Sequence, residues 1–262
     1  MPKAFRMSAA AASAPLLSTA GVSISFGALK VLQSVDFRLD QGARHALIGP
    51  NGAGKTTFIN LLSGVLRPAR GIVCIGNREV NRLSEAQRVR CGLVRTFQIS
   101  QLFRNLSVFE NVSLAVMRRL GAGMSMFRRC SSHAMLTHDA MDIIGKLGLD
   151  DVAFQPIREL SYGKQRLVEL AIALGLRPRI LLLDEPMAGI PVGERGPILD
   201  VVAKLDPELA ILIVEHDIDF VFQFASQITV LANGSVLARG TPAEIAADAT
   251  VAEMYLGGGN HA

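Results

Sequence analysis

Residues 49 to 57 read Gly-Pro-Asn-Gly-Ala-Gly-Lys-Thr-Thr and decide how the rest of the chain is interpreted. They lie between an aliphatic run, 46–48, and a helix-like segment, 58–62. Strand, glycine-rich loop and helix in that order are the context in which G-x-x-x-x-G-K-[ST] predicts a phosphate-binding P-loop. The glycines let successive backbone N–H groups face phosphate oxygens, and the start of the helix adds its positive dipole end.

The P-loop side chains have distinct expected roles. Lys55 is expected to reach the β- and γ-phosphates, Thr56 to place its hydroxyl on Mg²⁺, and Thr57 to donate to a phosphate. The predicted ATP-binding set in this loop is Gly49, Pro50, Asn51, Gly52, Ala53, Gly54, Lys55, Thr56 and Thr57.

Composition limits the class of protein. Half of the 262 residues are hydrophobic, which is ample for a core, yet the longest apolar runs are strand-sized. None approaches the roughly 18 residues of a membrane span, so if the protein works at a membrane, another chain is expected to cross it. The net charge of +4 is too small to indicate a nucleic-acid partner. The three cysteines have no metal-ligand spacing and fit a reducing cytosol.

Two aliphatic runs end in acidic residues. The run 180–183 leads into Asp184-Glu185, and the run 210–214 leads into Glu215-His216-Asp217. Carboxylates at the end of a buried strand are costly unless a metal or substrate uses them. We expect Asp184 to hold Mg²⁺ and Glu185 to act as general base on the attacking water. His216 could hydrogen-bond phosphate or water, although a histidine between two acids is commonly a surface residue.

Three further positions are of interest, and two of them allow two interpretations each. Gln98 ends a strand predicted over 93–98, where it is either a polar terminus or a Mg²⁺ ligand. Phe26 follows a predicted strand and could equally stack on a purine or belong to the core. Ser161 precedes a helix predicted over 167–176 and is by itself only an N-cap signal.

The fold class predicted is α/β, a P-loop NTPase core with a mainly parallel sheet. An antiparallel pair over 17–25 and 31–39 predicts an N-terminal β subdomain, and helical periodicity predicts an inserted α-helical subdomain at about 99–160. Residues 1–16 are interpreted as a flexible extension, 17–257 as the ATPase domain and 258–262 as a tail. Asn233-Gly234 predicts a hairpin, and Thr241-Pro242 predicts the start of the C-terminal helix.

Five motifs in one order carry a resemblance: the P-loop, Gln98, 160–165, Asp184-Glu185 and His216. From about 17 to 257 the chain resembles ATP-binding-cassette (ABC) transporter ATPases. Within that superfamily, segments such as Arg95-Thr96-Phe97-Gln98 and 214–217 are similar to the ATPases of branched-chain, or hydrophobic, amino-acid importers.

The resemblance implies ATP and Mg²⁺ as cofactors and a head-to-tail dimer with two ATPs at its interface. The second subunit would be a copy of this chain or a related paralogue. Ser161, Gly163 and Gln165 of one subunit would face the γ-phosphate bound by the other. Tyr162 and Lys164 depart from the usual signature, and the loop after Glu185 has Pro191 where Asp or Asn is frequent.

The same resemblance assigns further roles. Glu185 and His216 match the catalytic pair, Phe26 matches the adenine-stacking position, and Gln98 would sense Mg²⁺ and the attacking water. The helical insertion would receive a short helix from a membrane subunit.

As partners, the resemblance implies two integral-membrane permease subunits and, indirectly, a periplasmic solute-binding protein. The chain would lie peripherally on the cytoplasmic face of the inner membrane and drive uptake of branched-chain amino acids or a related small solute. One alternative is the ATPase of a lipid exporter. A nucleic-acid-associated ATPase is a weaker alternative, because the interval 98–161 is too short for a coiled coil.

Overall fold

A computed structural model describes residues 14–96, 102–121 and 130–256 of the chain. Its strands are β1 (Leu17–Phe26), β2 (Leu29–Leu39), β3 (Arg44–Ile48), β4 (Arg70–Ile75), β5 (Arg78–Glu79), β6 (Leu93–Arg95), β7 (Ile180–Asp184), β8 (Ala210–Val214), β9 (Gln227–Ala232) and β10 (Ser235–Gly240). Its helices are α1 (Lys55–Ser63), α2 (Glu85–Arg90), α3 (Val108–Arg119), α4 (Cys130–Lys146), α5 (Tyr162–Gly175), α6 (Val192–Ala203), α7 (Ile218–Phe224), α8 (Pro242–Ala247) and α9 (Ala249–Leu256).

The strands form two sheets. The larger has the order β10-β9-β3-β8-β7-β6, and only its β9–β10 hairpin is antiparallel. The smaller has the order β2-β1-β4-β5 and is antiparallel throughout. Two features of the prediction, a mainly parallel core sheet and an N-terminal antiparallel unit, are therefore confirmed.

The central strands of the larger sheet are buried on both faces. Along β7, Leu181 and Leu183 join one hydrophobic cluster, and Ile180 and Leu182 join the other. The first cluster also contains residues of α3, α4 and α5, whereas the second continues into α1 and the smaller sheet. This two-sided burial explains why β7 and β8 are aliphatic without alternation.

Local signals set several helix starts. Ser107 and Thr241 cap α3 and α8 in capping boxes with glutamates three residues later, Glu110 and Glu244. Ser161 caps α5 by accepting from the backbone N–H of Lys164.

Two predicted boundaries were wrong. Helix α5 begins at Tyr162 and not at Leu167, because its polar first turn carries no apolar periodicity and only the cap marks it. The predicted strand 93–98 ends at Arg95. The C-terminal helix begins at Pro242, as predicted, and then divides into α8 and α9, because Asp248 leaves the helical conformation with a ψ of 112°.

Among the helices of the described residues, none has both the length and the apolar composition needed to cross a membrane.

One buried histidine gives the fold a pH dependence. His45 is 3% exposed, and its Nε2 lies 2.8 Å from the hydroxyl oxygen of Thr229. Burial lowers the pKa of His45 to about 4; the charge of Arg239 lowers this pKa further, and Asp40 opposes the shift. The unfolded state, with a pKa near 6.5, therefore binds the proton first as the pH falls.

We expect the stability contribution of His45 to be complete above about pH 6.5 and to be lost as the pH falls toward 4. Between pH 7.5 and 5 the loss is about 2 kcal/mol of the free energy of unfolding. Urea unfolding at both pH values measures it. A His45→Gln variant should be less sensitive to this pH change by about that amount, and an unchanged pH sensitivity would contradict the assignment.

Candidate functional site

Three loops meet at the carboxyl ends of neighbouring strands of the larger sheet. The P-loop follows β3, Glu185 follows β7, and Glu215-His216 follows β8. Strand β8 lies between the other two and pairs with both in parallel, with Val214 opposite Leu47 on one side and Asp184 on the other. The carboxyl ends of parallel strands are where open α/β sheets bind ligands.

The P-loop approaches other backbone segments at two of its glycines. A Cβ on Gly49 would lie 2.1 Å from the carbonyl oxygen of Leu231, and one on Gly54 would lie 2.9 Å from that of Val31. Gly54 also has a φ of 100° as the residue before α1. The loop conformation therefore requires glycine at both positions.

Lys55 lies over its own loop. Its ammonium donates to the carbonyl oxygens of Gly49 at 2.6 Å and Pro50 at 2.9 Å. Burial lowers the pKa of Lys55, and the negative charge of Glu185 opposes that shift in pKa. Thr56 is exposed and Thr57 is half-buried.

Asp184 ends β7 and forms an ion pair with Arg95. Arg95 Nη2 donates to Asp184 Oδ2 at 2.5 Å, and both side chains are largely buried. Arg95 Nη1 donates to Asn60 Oδ1 at 2.6 Å. Asn60 belongs to α1, so the guanidinium connects the P-loop helix to the strand that carries Asp184.

Glu185 and His216 contact each other beyond the carboxyl ends of β7 and β8. His216 Nε2 lies 2.9 Å from Glu185 Oε1, and an ionised carboxylate makes this nitrogen the donor. Glu185 has a φ of 49°, in the left-handed region that non-glycine residues rarely occupy. Its backbone N–H donates to the carbonyl oxygen of Val214 at 2.9 Å. The strained conformation lies at the residue predicted to do the chemistry.

Glu215, next to His216, fixes the loop after Glu185. It is 4% exposed and accepts from the backbone N–H of Met187 at 2.9 Å and of His216 at 3.0 Å. Burial raises the pKa of Glu215, against the effect of these backbone donors. Its role was not predicted, although a carboxylate directly after an all-aliphatic strand was a usable signal.

The predicted signature residues lie at the start of α5. The backbone N–H of Gly163 donates to Glu194 Oε2 at 3.1 Å, and Gln165 Nε2 donates to the carbonyl oxygen of Leu160 at 2.9 Å. Ser161 is exposed. Gly163 and Glu194 also line a cleft between α5 and α6.

The departures from the family pattern have structural explanations. Lys164 forms an ion pair with Asp151 at 2.7 Å. The ring of Tyr162 lies against Gly189, where a Cβ would be 3.4 Å from the ring. Pro191 immediately precedes α6.

Phe26 is 50% exposed at the end of β1, so the interpretation of Phe26 as a core residue was wrong. Purine stacking by Phe26 stays a prediction. Gln98 lies outside the described residues.

The donor chemistry at this edge suits Mg²⁺. The Thr56 hydroxyl and the Asp184 carboxylate are hard oxygen ligands, which this ion takes together with substrate phosphates and water. In the described part of the chain, no three His, Cys, Asp or Glu residues form a metal-binding cluster.

A family model described as ABC transporter matches residues 32–188. BraF of Pseudomonas aeruginosa, a high-affinity branched-chain amino acid transport ATP-binding protein, is 35% identical over 254 residues, covering 94% of this chain and 99% of BraF. LivG of Escherichia coli K12, which has the same description, is 36% identical over the same shares.

Solved structures agree with these sequence matches. An ATP-binding cassette of an ABC transporter in its ADP conformation has a TM-score of 0.80 and 30% identity, covering 93% of this chain and 99% of that one. A nucleotide-free ATP-binding cassette has a TM-score of 0.79 and 28% identity, covering 92% and 98%.

Proposed function

This chain belongs to the ABC transporter family, and on that premise we propose that it hydrolyses ATP to drive import of branched-chain amino acids or a related small solute. The observation that carries the hydrolytic part is the 2.9 Å contact between Glu185 and His216, where strands β7 and β8 end beside β3 and the P-loop that follows it. The names of the relatives support the substrate class and favour amino-acid transport over lipid export.

Nucleotide binding uses the loop backbone and Lys55. The triphosphate accepts from backbone N–H groups within residues 49–57, where Pro50 alone has none, and the start of α1 adds its dipole. The Lys55 ammonium exchanges the carbonyl oxygens of Gly49 and Pro50 for the β- and γ-phosphates. Phe26, half-exposed at the end of β1, stacks on the adenine.

Thr56 and Asp184 hold Mg²⁺, and Gln98 is assigned to the same ion from sequence alone. When bound, the ion neutralises charge on the β- and γ-phosphates.

Hydrolysis is assigned to Glu185. A water oxygen forms a bond to the γ-phosphorus while the bond from that phosphorus to the bridging oxygen breaks, which releases ADP and phosphate. Glu185 accepts the proton of the attacking water. His216, whose Nε2 lies 2.9 Å from Glu185 Oε1, keeps the carboxylate in one orientation before ATP binds, and the same N–H would donate to the γ-phosphate in its place.

The assembly completes the site. Two cassettes, copies or paralogues, pair head to tail, so that Ser161, Gly163 and Gln165 of one face the γ-phosphate held by the other. Two permease subunits cross the membrane, with this chain on its cytoplasmic face and a periplasmic solute-binding protein delivering the solute. The domain limits, with the ATPase over 17–257 and its helical insertion at about 99–160, belong to this proposal.

A cavity of about 300 Å³ supports contact with a permease. It lies between α2, β6 and α5, and its lining is mostly apolar, with Leu102, Ile172 and Leu176 among its residues. A short permease helix would bury such a surface.

Uptake of labelled leucine, by cells that lack this gene, tests the transport function. The wild-type gene should restore uptake, and the gene for a Lys55→Ala variant should not. Restoration by the variant would contradict the proposal, and no leucine uptake with either gene would exclude leucine as the solute.

We expect Lys55→Ala to weaken ATP binding about 10–100-fold, the worth of a hydrogen bond from a charged donor. Titration of the purified protein with a fluorescent ATP analogue measures the Kd. Lys204→Ala, which removes an exposed lysine of the α6 end, is the matched control and should keep the wild-type Kd. Equal Kd values for the two variants would exclude Lys55 from phosphate binding.

A further inference from the structure

We propose that Arg95 is a positioning residue that orients Asp184 toward Mg²⁺, so that it sets how tightly the ATP-bound protein holds this ion. The inference rests on the proposed function and names a residue outside the P-loop and the acidic strand ends. The role is a specific one, because Arg95 fixes one carboxylate oxygen and leaves the other for the metal.

The placement of Arg95 follows from the sheet. Strand β6 is the outermost strand of the larger sheet on the side of β7. The last residue of β6, Arg95, is opposite Leu182 of β7 in the parallel register. The backbone N–H of Thr96 then donates to the carbonyl oxygen of Leu182 at 3.0 Å. These contacts fix the backbone at Arg95 two residues short of the level at which Asp184 ends its strand.

The guanidinium is held on two sides. Nη1 donates to Asn60 Oδ1 at 2.6 Å and lies 3.4 Å from Ser63 Oγ, both on α1, while Nη2 donates to Asp184 Oδ2 at 2.5 Å. The side chains of Arg95 and Asp184 are 10% and 2% exposed. A planar donor group anchored in this way restricts rotation of the carboxylate.

The two oxygens of Asp184 therefore differ. Oδ2 accepts from Arg95, whereas Oδ1 makes no hydrogen bond to the described part of the chain. Because Mg²⁺ demands near-octahedral geometry, a carboxylate with one oxygen already fixed presents the other at a defined angle. Partners that hydrogen-bond a metal ligand typically change metal affinity 10–100-fold when they are removed.

A role in stability alone would not account for the placement of the Arg95–Asp184 ion pair. Buried ion pairs contribute little net stability, because desolvation offsets their attraction. Arg95 also joins Asp184 to α1, the helix that begins with Lys55 and Thr56, so one guanidinium ties together the elements that carry both described Mg²⁺ ligands.

The test measures Mg²⁺ binding without turnover. In a Glu185→Gln parent, binding of a fluorescent ATP analogue is titrated with MgCl₂, and Mn²⁺ binding is followed by electron paramagnetic resonance. Arg95→Met should raise the Mg²⁺ concentration at half-saturation at least about tenfold, while the analogue's Kd in EDTA stays that of the parent. Arg95→Lys keeps the charge but loses the planar guanidinium with its several N–H donors, so its Mg²⁺ concentration at half-saturation should lie between those of the parent and Arg95→Met.

The matched control is Arg119→Met. Arg119 forms an ion pair with Asp139 of comparable burial, between α3 and α4, and this variant should keep the parent's Mg²⁺ requirement. Asn60→Ala leaves Arg95 charged and removes the hydrogen bond from Arg95 Nη1 to Asn60. We expect this variant to raise the Mg²⁺ concentration at half-saturation about fivefold, which corresponds to the loss of one hydrogen bond. The Asn60→Ala variant also tests the proposal if Arg95→Met does not fold.

The outcomes separate the two proposals. A parent that binds the analogue neither in Mg²⁺ nor in EDTA overturns the proposed function and this inference with it. A parent with normal Mg²⁺-dependent binding and an Arg95→Met variant with the same Mg²⁺ midpoint overturns the inference alone. A lower Mg²⁺ requirement in Arg95→Met also overturns it, because Arg95 would then compete with the ion.

Discussion

Replacement of Glu185 by Gln is expected to lower the rate of ATP hydrolysis about 10²–10⁴-fold while ATP binding persists. The amide has nearly the shape of the carboxylate but accepts no proton at neutral pH, so only the proton-transfer contribution is lost. Phosphate release at saturating ATP measures turnover, and the fluorescent ATP analogue measures binding. The two readouts distinguish a chemical defect from a loss of nucleotide.

Glu208→Gln provides the matched control for that experiment. Glu208 is exposed and precedes β8 at the end opposite to His216, so it loses the same charge away from the site. The control should hydrolyse ATP at the wild-type rate. Wild-type turnover in Glu185→Gln would remove Glu185 from the role of general base.

The backbone conformation at Glu185 supports this residue, and not its neighbours, as the general base. A left-handed φ costs of order 1–3 kcal/mol at a residue with a side chain, and the contacts around Glu185 hold it there. The Val214 carbonyl accepts from its N–H, and the Glu215 carboxylate holds the following turn at Met187. In this conformation the carboxylate contacts His216.

The sequence predicted the elements whose signals are local. The P-loop, the two aliphatic strands and the Asn233-Gly234 hairpin each carry their pattern within ten residues, and the structure has all of them. The sequence predicted separate roles for Glu185 and His216 near the γ-phosphate and did not predict their contact. That contact follows from the pairing of the parallel strands β7 and β8, whose carboxyl ends lie side by side.

The contacts that the sequence did not predict join segments far apart in the chain. Arg95 binds Asp184 across 89 positions, and Gly163 binds Glu194 across 31. An arginine at a strand end and a glutamate in a first helical turn have ordinary local explanations, so no pattern singled them out. Helix α6 was also missed, since Gly193, Gly196 and Pro197 lower its intrinsic helix preference.

Arg88 is another such case, and it stabilises the P-loop helix. Its side chain is fully buried, and it donates to the carbonyl oxygens of Leu61 at 2.6 Å, Leu62 at 2.7 Å and Val80 at 2.8 Å. Leu61 and Leu62 lie in the last turn of α1, where carbonyl groups lack intrahelical donors. Burial lowers the pKa of Arg88 to about 10, so the side chain stays charged at neutral pH.

We expect Arg88→Met to lower the free energy of unfolding by about 3 kcal/mol. Three hydrogen bonds from a charged donor are worth about 1.5–3 kcal/mol each, and removing the cation recovers a few kcal/mol of desolvation. Urea unfolding should show a lower midpoint with an unchanged slope.

Arg90→Met, on the exposed side of α2, is the matched control for Arg88→Met and should change the free energy of unfolding by less than about 0.5 kcal/mol. Arg88→Lys should lie between the two, because a single ammonium cannot reach both the end of α1 and Val80 as a guanidinium does. Equal stability of Arg88→Met and Arg90→Met would contradict a capping role for Arg88. Since α1 begins with Lys55, loss of its C-terminal cap should also weaken ATP binding at urea concentrations below the unfolding transition.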